Sequence, residues 1–434
     1  MADISTAAVI VASIVFALAT FVDINVGLIA ILLSMLLSPE LELGQAGGRA
    51  VVIRAEDLLL IIVSFTWLAK MAVRKGTPFV RHSPLNVPIA LYTAILCFST
   101  AKGIMMGDVY ALKGMFYVFK LIEYFILYFI VINHVTRERQ VKLFLIVLFF
   151  TSIVVAIYGI THLGSVERIS APFEGEGEPN TLGGYMLFII SLVAGLIYHY
   201  RSKRLLLVLM FIFLIPTFVF TLSRASYLGM FAALFAFAGL SRDKRIINAS
   251  LVLLLLFMGA VVFGPPVLKD RVIGAFKPEE SQSLKKVGAI SLGPSPAARI
   301  ESWQNLIQKR FPKRPLLGWG VTGTEFLDSQ YFLVLGETGI VGLGAFLWLM
   351  WSVWKGALYS YRHVEKPLYK GLSMGFMVGF SGLLLHAVGS NTFIIIRIAE
   401  PFWFFAAIVL KLVDIEHGTA VLKDKVPSYM KGRA

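Results

Sequence analysis

Long apolar segments recur along almost the whole chain and are interrupted once, by a polar stretch between about Gly264 and Gln330. Crossing the hydrocarbon core of a bilayer takes a helix of roughly 20 apolar residues, whose backbone polar groups must be satisfied within the same segment. Of the 434 residues, 57% are hydrophobic and 15% are charged, a balance atypical of soluble domains. The sequence therefore predicts an all-α integral membrane protein.

Hydropathy predicts twelve or thirteen transmembrane helices, because the first two candidates are short and fit either two thin spans or one re-entrant unit. The candidate spans are 6–21, 24–38, 56–73, 84–101, 112–132, 142–160, 181–200, 204–221, 225–240, 247–264, 330–354, 371–389 and 392–411. We expect residues 1–434 to form a single polytopic membrane domain with one long extracytoplasmic loop at 265–329.

Clusters of Lys and Arg lie in alternate loops and in the C-terminal tail, for example around Arg74, Arg139 and Lys203. Because cytoplasmic loops carry an excess of these residues, the clusters and the C-terminus are expected on the cytoplasmic side. The formal net charge of +14 then needs no nucleic acid as a partner. The loops expected on the opposite, extracytoplasmic side are 39–55, 102–111, 161–180, 222–224, 265–329 and 390–391.

The long loop at 265–329 is itself basic, with ten Lys or Arg against six Asp or Glu and a net charge of +4. Loops beyond about sixty residues escape the topological charge bias, so this excess is a candidate surface for an anionic headgroup. Residues 296–311 are predicted to form an amphipathic helix, because apolar side chains recur there at helical spacing. These side chains are Ile300, Trp303, Leu306, Ile307 and Phe311. Residues 277–296 before the helix are rich in Ser, Gly and Lys, which predicts mobility.

Metal and nucleotide motifs are missing from the sequence. The seven histidines are scattered, and none is paired with a carboxylate at ligand spacing. We therefore expect neither a metal nor a cofactor. The glycines of Gly183-Gly184 and of 339–344 fall within predicted helices, where small residues are expected to permit close helix packing.

Two extracytoplasmic segments combine polar and charged residues next to predicted spans. In residues 174–180, three glutamates precede Pro179 and Asn180; this segment is either a loop with Asn180 as helix cap or a cleft whose carboxylates hold acceptor hydroxyls. In residues 221–226, Arg224 lies in a short turn among small polar residues. This arginine is either a snorkelling anchor or a ligand for phosphate, which arginine grips in bidentate fashion.

A third group lies at the end of the long loop and the start of the next span. It comprises Arg299, Trp303, Pro315 to Gly320, Asp328, Tyr331 and Glu337 to Gly339. Trp303 and Trp319 are also the residue type that anchors helices at a membrane interface, and Asp328 fits the role of a helix cap equally well.

In order and spacing, these segments resemble the O-antigen ligase / O-antigen polymerase superfamily of membrane glycosyltransferases. The matching segments are residues 178–183, 221–224, Arg299 with Trp303, 315–320 and 337–342. The similarity extends from about Gly175 to Met350, whereas the N-terminal part agrees only in hydropathy.

The resemblance implies a metal-independent enzyme of the bacterial inner membrane, with its active site on the periplasmic side. Such enzymes transfer a glycan en bloc from undecaprenyl pyrophosphate to an acceptor hydroxyl. In a polymerase of O-antigen or exopolysaccharide the acceptor is another carrier-linked repeat unit, and in a ligase it is lipid A-core. The lipid-linked oligosaccharide, the acceptor glycan and the bilayer are the expected partners, and a chain-length regulator is a further candidate.

Chemistry assigns roles to the matching residues. Without a metal, guanidinium groups must stabilise the leaving pyrophosphate, and Arg224 and Arg299 are the candidates. Where many ligases carry a histidine before the late span, this chain has Asp328, which favours a polymerase and makes Asp328 the first candidate base, before Glu178 and Glu337. The residues expected to bind substrate are Glu178, Asn180, Trp303, Tyr331 and Glu337.

Two hypotheses from other classes remain open. One is a flippase or exporter of the lipid-linked glycan, but such transporters usually carry sequence repeats and midplane charges. Here no repeat is seen, and charges in apolar runs, such as Glu123 and Arg397, are few. The other hypothesis is a structural membrane protein, which the basic loop disfavours.

Overall fold

The computed structural model describes residues 2–46, 49–73, 82–163, 168–173, 178–244, 285–287, 290–292, 294–325 and 327–418, with Asn248 and Gly259 as isolated positions. Helices dominate these residues, because a backbone in lipid satisfies its hydrogen bonds most simply within one helix. The helices are α1 (Ala2–Val22), α2 (Ile24–Leu37), α3 (Ala55–Val73), α4 (Asn86–Met105), α5 (Ala111–His134), α6 (Glu138–Thr161), α7 (Pro179–His199), α8 (Arg204–Phe220), α9 (Arg224–Ser241), α10 (Pro294–Asn305), α11 (Gln330–His363), α12 (Pro367–His386) and α13 (Ile396–Glu416).

Each predicted span coincides with a helix except 247–264, which lies outside the described residues apart from Asn248 and Gly259. Eight helices of the described chain are long and apolar enough to cross a membrane: α4, α5, α6, α7, α8 (with the short 3-10 turn before it), α9, α11 and α12. Helix α2 is shorter, and α3 and α13 carry more ionisable side chains. The prediction of an all-α integral membrane protein is confirmed.

Two of the loops contain β-hairpins, for which the sequence analysis made no prediction, and a third loop is longer than predicted. Residues 39–55 contain an antiparallel hairpin of β1 (Glu40–Ala46) and β2 (Arg49–Arg54), and a second small hairpin joins β3 (Lys285–Val287) to β4 (Ile290–Leu292). The predicted two-residue turn at 390–391 is wrong, because α12 ends at His386 and α13 begins at Ile396. Residues 387–395 form an apolar but non-helical connection, which we call the α12–α13 loop. Much of the expected long loop, including most of 277–296, lies outside the described residues.

The helices run between two ends of one bundle. At one end, which we call the site end, Gln330 N of α11 donates to Ala387 O after α12 (3.0 Å), and Tyr124 Oη of α5 donates to Ile394 O before α13 (2.7 Å). At the opposite end, Lys366 Nζ binds Glu138 Oε2 (2.6 Å), which joins the starts of α6 and α12. Helix α12 therefore begins at the opposite end and ends at the site end, where α11 and α13 begin.

Small residues allow the central helices to approach closely. A Cβ at Gly195 of α7 would lie 2.5 Å from Gly371 O and would overlap the backbone of Gly375, both on α12. A Cβ at Gly183 would overlap Ser226 Oγ of α9, and one at Gly184 would lie 2.5 Å from the Ile398 side chain of α13. These contacts support the packing role predicted for Gly183 and Gly184, since helices in lipid associate largely through close van der Waals contact.

Helix α13 is enclosed by other helices, which explains how it carries charge. Arg397 is fully buried and donates to Pro172 O (3.0 Å) and to Ser38 O (3.4 Å), and Glu400 is also buried. Ionisable groups at membrane depth are tolerated when they face the bundle interior and meet polar partners. Arg397 thereby ties α13 to the ends of two distant segments at the site end.

Candidate active site

Arg224 is the first residue of α9 and is half-buried at the site end. The preceding Ser223 caps the helix: its Oγ accepts from Ser226 N (3.2 Å) and Ser226 Oγ (2.7 Å) and donates to Asn180 Oδ1 (2.7 Å). A serine in this position satisfies one of the free N–H groups that open a helix. The turn that carries Arg224 is therefore bonded to the start of α7.

Asn180 does not cap α7, so the prediction that Asn180 is the cap of this helix is wrong. The helix begins at Pro179, which is suited to a first helical position because it has no N–H to satisfy, and the cap position falls on Glu178. Asn180 lies inside the first turn and accepts from Ser223 instead. Glu178 is exposed and accepts from Thr181 Oγ1 (3.3 Å), whereas Glu174 and Glu176 lie outside the described residues.

The turn before Arg224 has a left-handed residue, Leu222, with φ +49°. Such a backbone costs roughly 1–2 kcal/mol for a residue other than glycine, so its surroundings must hold it. Arg168 Nε and Nη2 donate to Thr221 O (3.3 Å) and Leu222 O (3.4 Å), and Ile169 N donates to Phe220 O (3.1 Å). Arg168 was not singled out from the sequence, where it is one charge in an ordinary loop.

Arg299 and Asp328 form an ion pair. Arg299 Nε lies 3.0 Å from Asp328 Oδ2, with the two side chains 26% and 45% exposed, so both remain accessible to a ligand. Asp328 is not a helix cap, because the cap position of α11 is Ser329. This contact joins two residues that were predicted separately as a phosphate ligand and as a base.

The amphipathic helix predicted at 296–311 is observed as α10, followed by a π-helical turn at Leu306–Arg310. Its apolar face packs on the start of α11: Trp303 stacks on Phe332 with ring centroids 4.8 Å apart, and Leu306 contacts Leu327 and Leu333. Ile307, expected on this face, is 45% exposed. The wide π turn changes the angle per residue, which rotates Ile307 away from α11.

Residues 315–320 pair with a break in α11. Gly339 has φ +66° and ψ −167° inside this helix, a conformation that is essentially restricted to glycine. Trp319 N and Gly320 N donate to Gly336 O (3.0 Å) and Glu337 O (2.8 Å), and beyond the break Ile340 N donates to Pro315 O (2.8 Å). The interpretation of Gly339 as a helix-packing residue is therefore corrected, since its role is to open the helix to this loop.

Helix α4 and Arg314 hold the same loop from its other side. Ser99 Oγ contacts Leu317 O (2.5 Å) and Glu337 O (2.7 Å), and Thr100 Oγ1 accepts from Val321 N (3.2 Å). The Arg314 guanidinium lies 4.2 Å from the centroid of the Trp319 ring and pairs with Asp108. Trp319 thus packs against protein groups, and Arg314 and Ser99 are supporting residues that sequence reasoning did not find.

Two predicted ligand residues are engaged in holding the scaffold. Glu337 is 2% exposed, and its Oε1 accepts from Thr322 N (2.9 Å). Tyr331 Oη donates to Leu384 O of α12 (2.7 Å). For Glu337, burial leaves little room for a substrate, and this placement argues against its predicted contact with one.

The α12–α13 loop connects the two halves of the site. Gly389 lies near Ala225, the neighbour of Arg224: a Cβ at Gly389 would lie 3.4 Å from Ala225 Cβ. Two residues later, Asn391 Nδ2 donates to Leu327 O (2.8 Å), next to Asp328. Arg224 and the Arg299–Asp328 pair therefore lie on either side of one short loop, at the same end of the bundle.

His386, at the end of α12, lies beneath this loop and was treated in the sequence as one of several scattered histidines. It is fully buried, and its Nδ1 is 2.7 Å from Thr392 Oγ1. A Cβ at Gly184 would lie 3.1 Å from its ring. His386 thus joins α7, α12 and the α12–α13 loop. Nothing in its sequence neighbourhood signals this position.

Residues 209–347 match the family model described as O-antigen ligase (Wzy_C). The matched region begins in α8 and ends in α11, and it contains Arg224, Arg299, Asp328 and the loop at 315–320. A comparison with curated proteins found no match. The predicted resemblance to the O-antigen ligase / O-antigen polymerase superfamily is confirmed, and a function of the O-antigen ligase or polymerase type is supported.

Proposed function

We propose that this protein transfers a glycan from an undecaprenyl pyrophosphate carrier to an acceptor hydroxyl, and that it polymerises lipid-linked repeat units of O-antigen or exopolysaccharide. The observation that carries the proposal is the placement of Arg224 on one side of the α12–α13 loop and of the Arg299–Asp328 ion pair on its other side, with all three residues inside the region that matches the O-antigen ligase model. Two cations and an accessible carboxylate are the groups that such a transfer requires without a metal.

In the proposed reaction the acceptor oxygen forms a bond with the anomeric carbon while the bond from that carbon to the diphosphate oxygen breaks. The electron pair of the broken bond stays on the diphosphate, and the acceptor proton passes to Asp328. Charge therefore grows on the leaving group, and preorganised donors aimed at it lower the barrier. Arg224 is suited to this role because it lies at a helix N-terminus, where backbone N–H groups also attract phosphate.

Arg299 is proposed to act in two ways. Its Nε holds Asp328, which orients the carboxylate toward the acceptor. Its two Nη groups form no hydrogen bond with the described residues and can donate to the diphosphate or to the acceptor sugar. A guanidinium is suited to both tasks because its donors form a rigid planar fork.

Glu178 and Asn180 remain proposed contacts for the acceptor, and Trp303 for a sugar ring. Glu178 is exposed at the start of α7, next to the turn that carries Arg224. Trp303 has one ring face on Phe332. We propose that Glu337 and Tyr331 support the loop at 315–320 and the start of α11, and that they act on substrate only through these elements.

The charge distribution supports a periplasmic location for this site. The ends of the helices opposite to it carry Arg139, Lys203, Arg362 and Lys370, and basic ends face the cytoplasm. We propose that the protein resides in the bacterial inner membrane with its C-terminus in the cytoplasm and the site end in the periplasm. A ligase that uses lipid A-core is the second candidate, and Asp328, where many ligases carry histidine, favours the polymerase.

Reconstitution in vesicles tests this proposal. Lipid-linked repeat units alone should yield polymer. Arg224→Ala should slow polymer formation by about 10²–10³, whereas replacement of Arg201, an exposed arginine at the opposite end, by alanine should leave the rate unchanged. Product that forms only after lipid A-core is added would identify a ligase. Movement of the carrier lipid across the bilayer without any product would identify a flippase and overturn the proposal.

A further inference from the structure

A small polar pocket lies directly beside the Arg299–Asp328 pair. Its wall from α10 and the following π turn carries Ser302, Asn305, Lys309 and Arg310, and its other wall carries Thr324, Glu325 and Leu327. Ser302 Oγ donates to Arg299 O (2.7 Å). The cavity volume is about 160 Å³, below the roughly 300–1,000 Å³ of sites for drug-sized ligands, so the pocket suits no more than about one sugar ring.

Thr324 is the first indication of a ligand. Only 8% of this residue is exposed, and its Oγ1 has no hydrogen-bond partner within the described part of the chain. A buried hydroxyl without a partner costs about 1–3 kcal/mol. This cost is removed when a polar ligand enters the pocket and bonds to it.

The charges of the pocket are the second indication. Arg310 is fixed by Gly323 O (3.3 Å), by Glu325 (Nη2 to Oε1, 3.4 Å) and by the Trp319 ring, 5.7 Å from its guanidinium. Lys309 is exposed and has no ion pair with a described residue. The charged side chains of the pocket are therefore Lys309, Arg310 and Glu325, which gives it a net positive charge.

We infer that this pocket binds one acidic sugar, of the hexuronate class, in the acceptor glycan. The hydroxyls of Ser302 and Thr324 and the Asn305 amide match the hydroxyls of a pyranose ring. Glu325 is suited to accept from a pair of vicinal hydroxyls, and Lys309 to bind the sugar carboxylate. Leu306 and Leu327 offer an apolar surface for the ring. This inference rests on the proposed function, because it adds a specificity site next to the proposed base.

Saturation-transfer NMR on the full-length protein in nanodiscs tests the pocket directly. The probes are methyl glucuronide, methyl glucoside and inorganic phosphate. The glucuronide should bind more tightly than the glucoside, and phosphate at equal concentration should not displace it. Thr324→Val should weaken glucuronide binding by about three- to tenfold, as expected for one hydrogen bond, and Lys309→Gln by about tenfold or more, as expected for a bond to a charge.

Lys313→Gln is the matched control, because Lys313 is exposed on the same segment and does not line the pocket. It should leave the affinity unchanged, and thermal unfolding should show that each variant is folded. Equal binding of both glycosides, displacement by phosphate, or full affinity in Thr324→Val and Lys309→Gln would overturn the inference. Absence of binding to the folded wild-type protein would do the same.

Arg224→Ala separates this inference from the proposed function. The variant should lose glycan transfer and keep glucuronide binding, because Arg224 lies across the α12–α13 loop from the pocket. If the wild-type protein binds the glucuronide but transfers no glycan, the proposed function fails and the pocket stands. If transfer proceeds without glucuronide binding, the pocket assignment fails and the function stands.

Discussion

Replacement of Gly339 by alanine should destabilise the protein and stop glycan transfer. At φ +66° and ψ −167°, a residue with a Cβ pays about 1–3 kcal/mol in backbone strain. The new Cβ would also lie 2.6 Å from Leu317 N and would overlap Leu316 O. Because both obstacles are backbone atoms, the segment at 315–320 must move, and this endangers its hydrogen bonds to residues 336–341.

Four backbone hydrogen bonds join the two segments: from Trp319, Gly320, Ile340 and Val341. At about 0.5–1.5 kcal/mol each, their complete loss would add about 2–6 kcal/mol to the strain. A partial shift of the loop would cost less, so we expect the free energy of unfolding to fall by about 2–5 kcal/mol. Transfer should fall further, since the same loop supports the residues before Asp328.

Gly344→Ala is the matched control on the same helix. A Cβ at Gly344 would meet no atom within 4 Å, and alanine in a helix is more stable than glycine by about 0.5–1 kcal/mol. Thermal unfolding in detergent and transfer in vesicles should be measured on both variants. If Gly339→Ala unfolds at the same temperature as Gly344→Ala and transfers glycan at the wild-type rate, the proposed pairing of the loop with the broken helix is wrong.

Arg224→Ala should reduce the transfer rate by about 10²–10³, the usual effect of losing one donor to a developing charge, with protein amount unchanged; normal glycan chain lengths in cells would refute its role. Asp328→Ala should slow turnover by about 10²–10⁴ at unchanged fold, as for loss of a general base, and unchanged turnover would place the base elsewhere. Asn180→Ala should weaken transfer through the Ser223 cap, costing roughly 1 kcal/mol of local stability, measured as lower protection of α9 in hydrogen exchange. Addition of EDTA to the vesicle assay should leave the rate unchanged, and a loss restored by Mg²⁺ would contradict metal independence.

The spans were predictable because transfer of an apolar side chain into lipid depends mainly on that side chain. Segments such as 112–132 and 142–160 therefore match α5 and α6 to within a few residues. The ends of the last spans were less predictable. The residues from 387 to 395 are apolar enough to predict a helix. However, the Asn391 side chain donates to Leu327 O, and Phe393 N donates to the Gln330 side chain. These hydrogen bonds to residues distant in sequence replace helical ones, and a local sequence pattern does not reveal them.

The sequence by itself determined the membrane class, the approximate spans and the positions of Arg224, Arg299 and Asp328, because hydropathy and residue type are properties of short segments. Only the tertiary structure decided that Arg299 binds Asp328, that Asn180 holds Ser223, that Glu337 is buried, and that Gly339 opens α11 to the loop at 315–320. Each of these contacts joins residues distant in sequence or depends on how helices pack. Which residues become partners depends on the free energy of the whole packed bundle, and the sequence of a single segment does not contain that information.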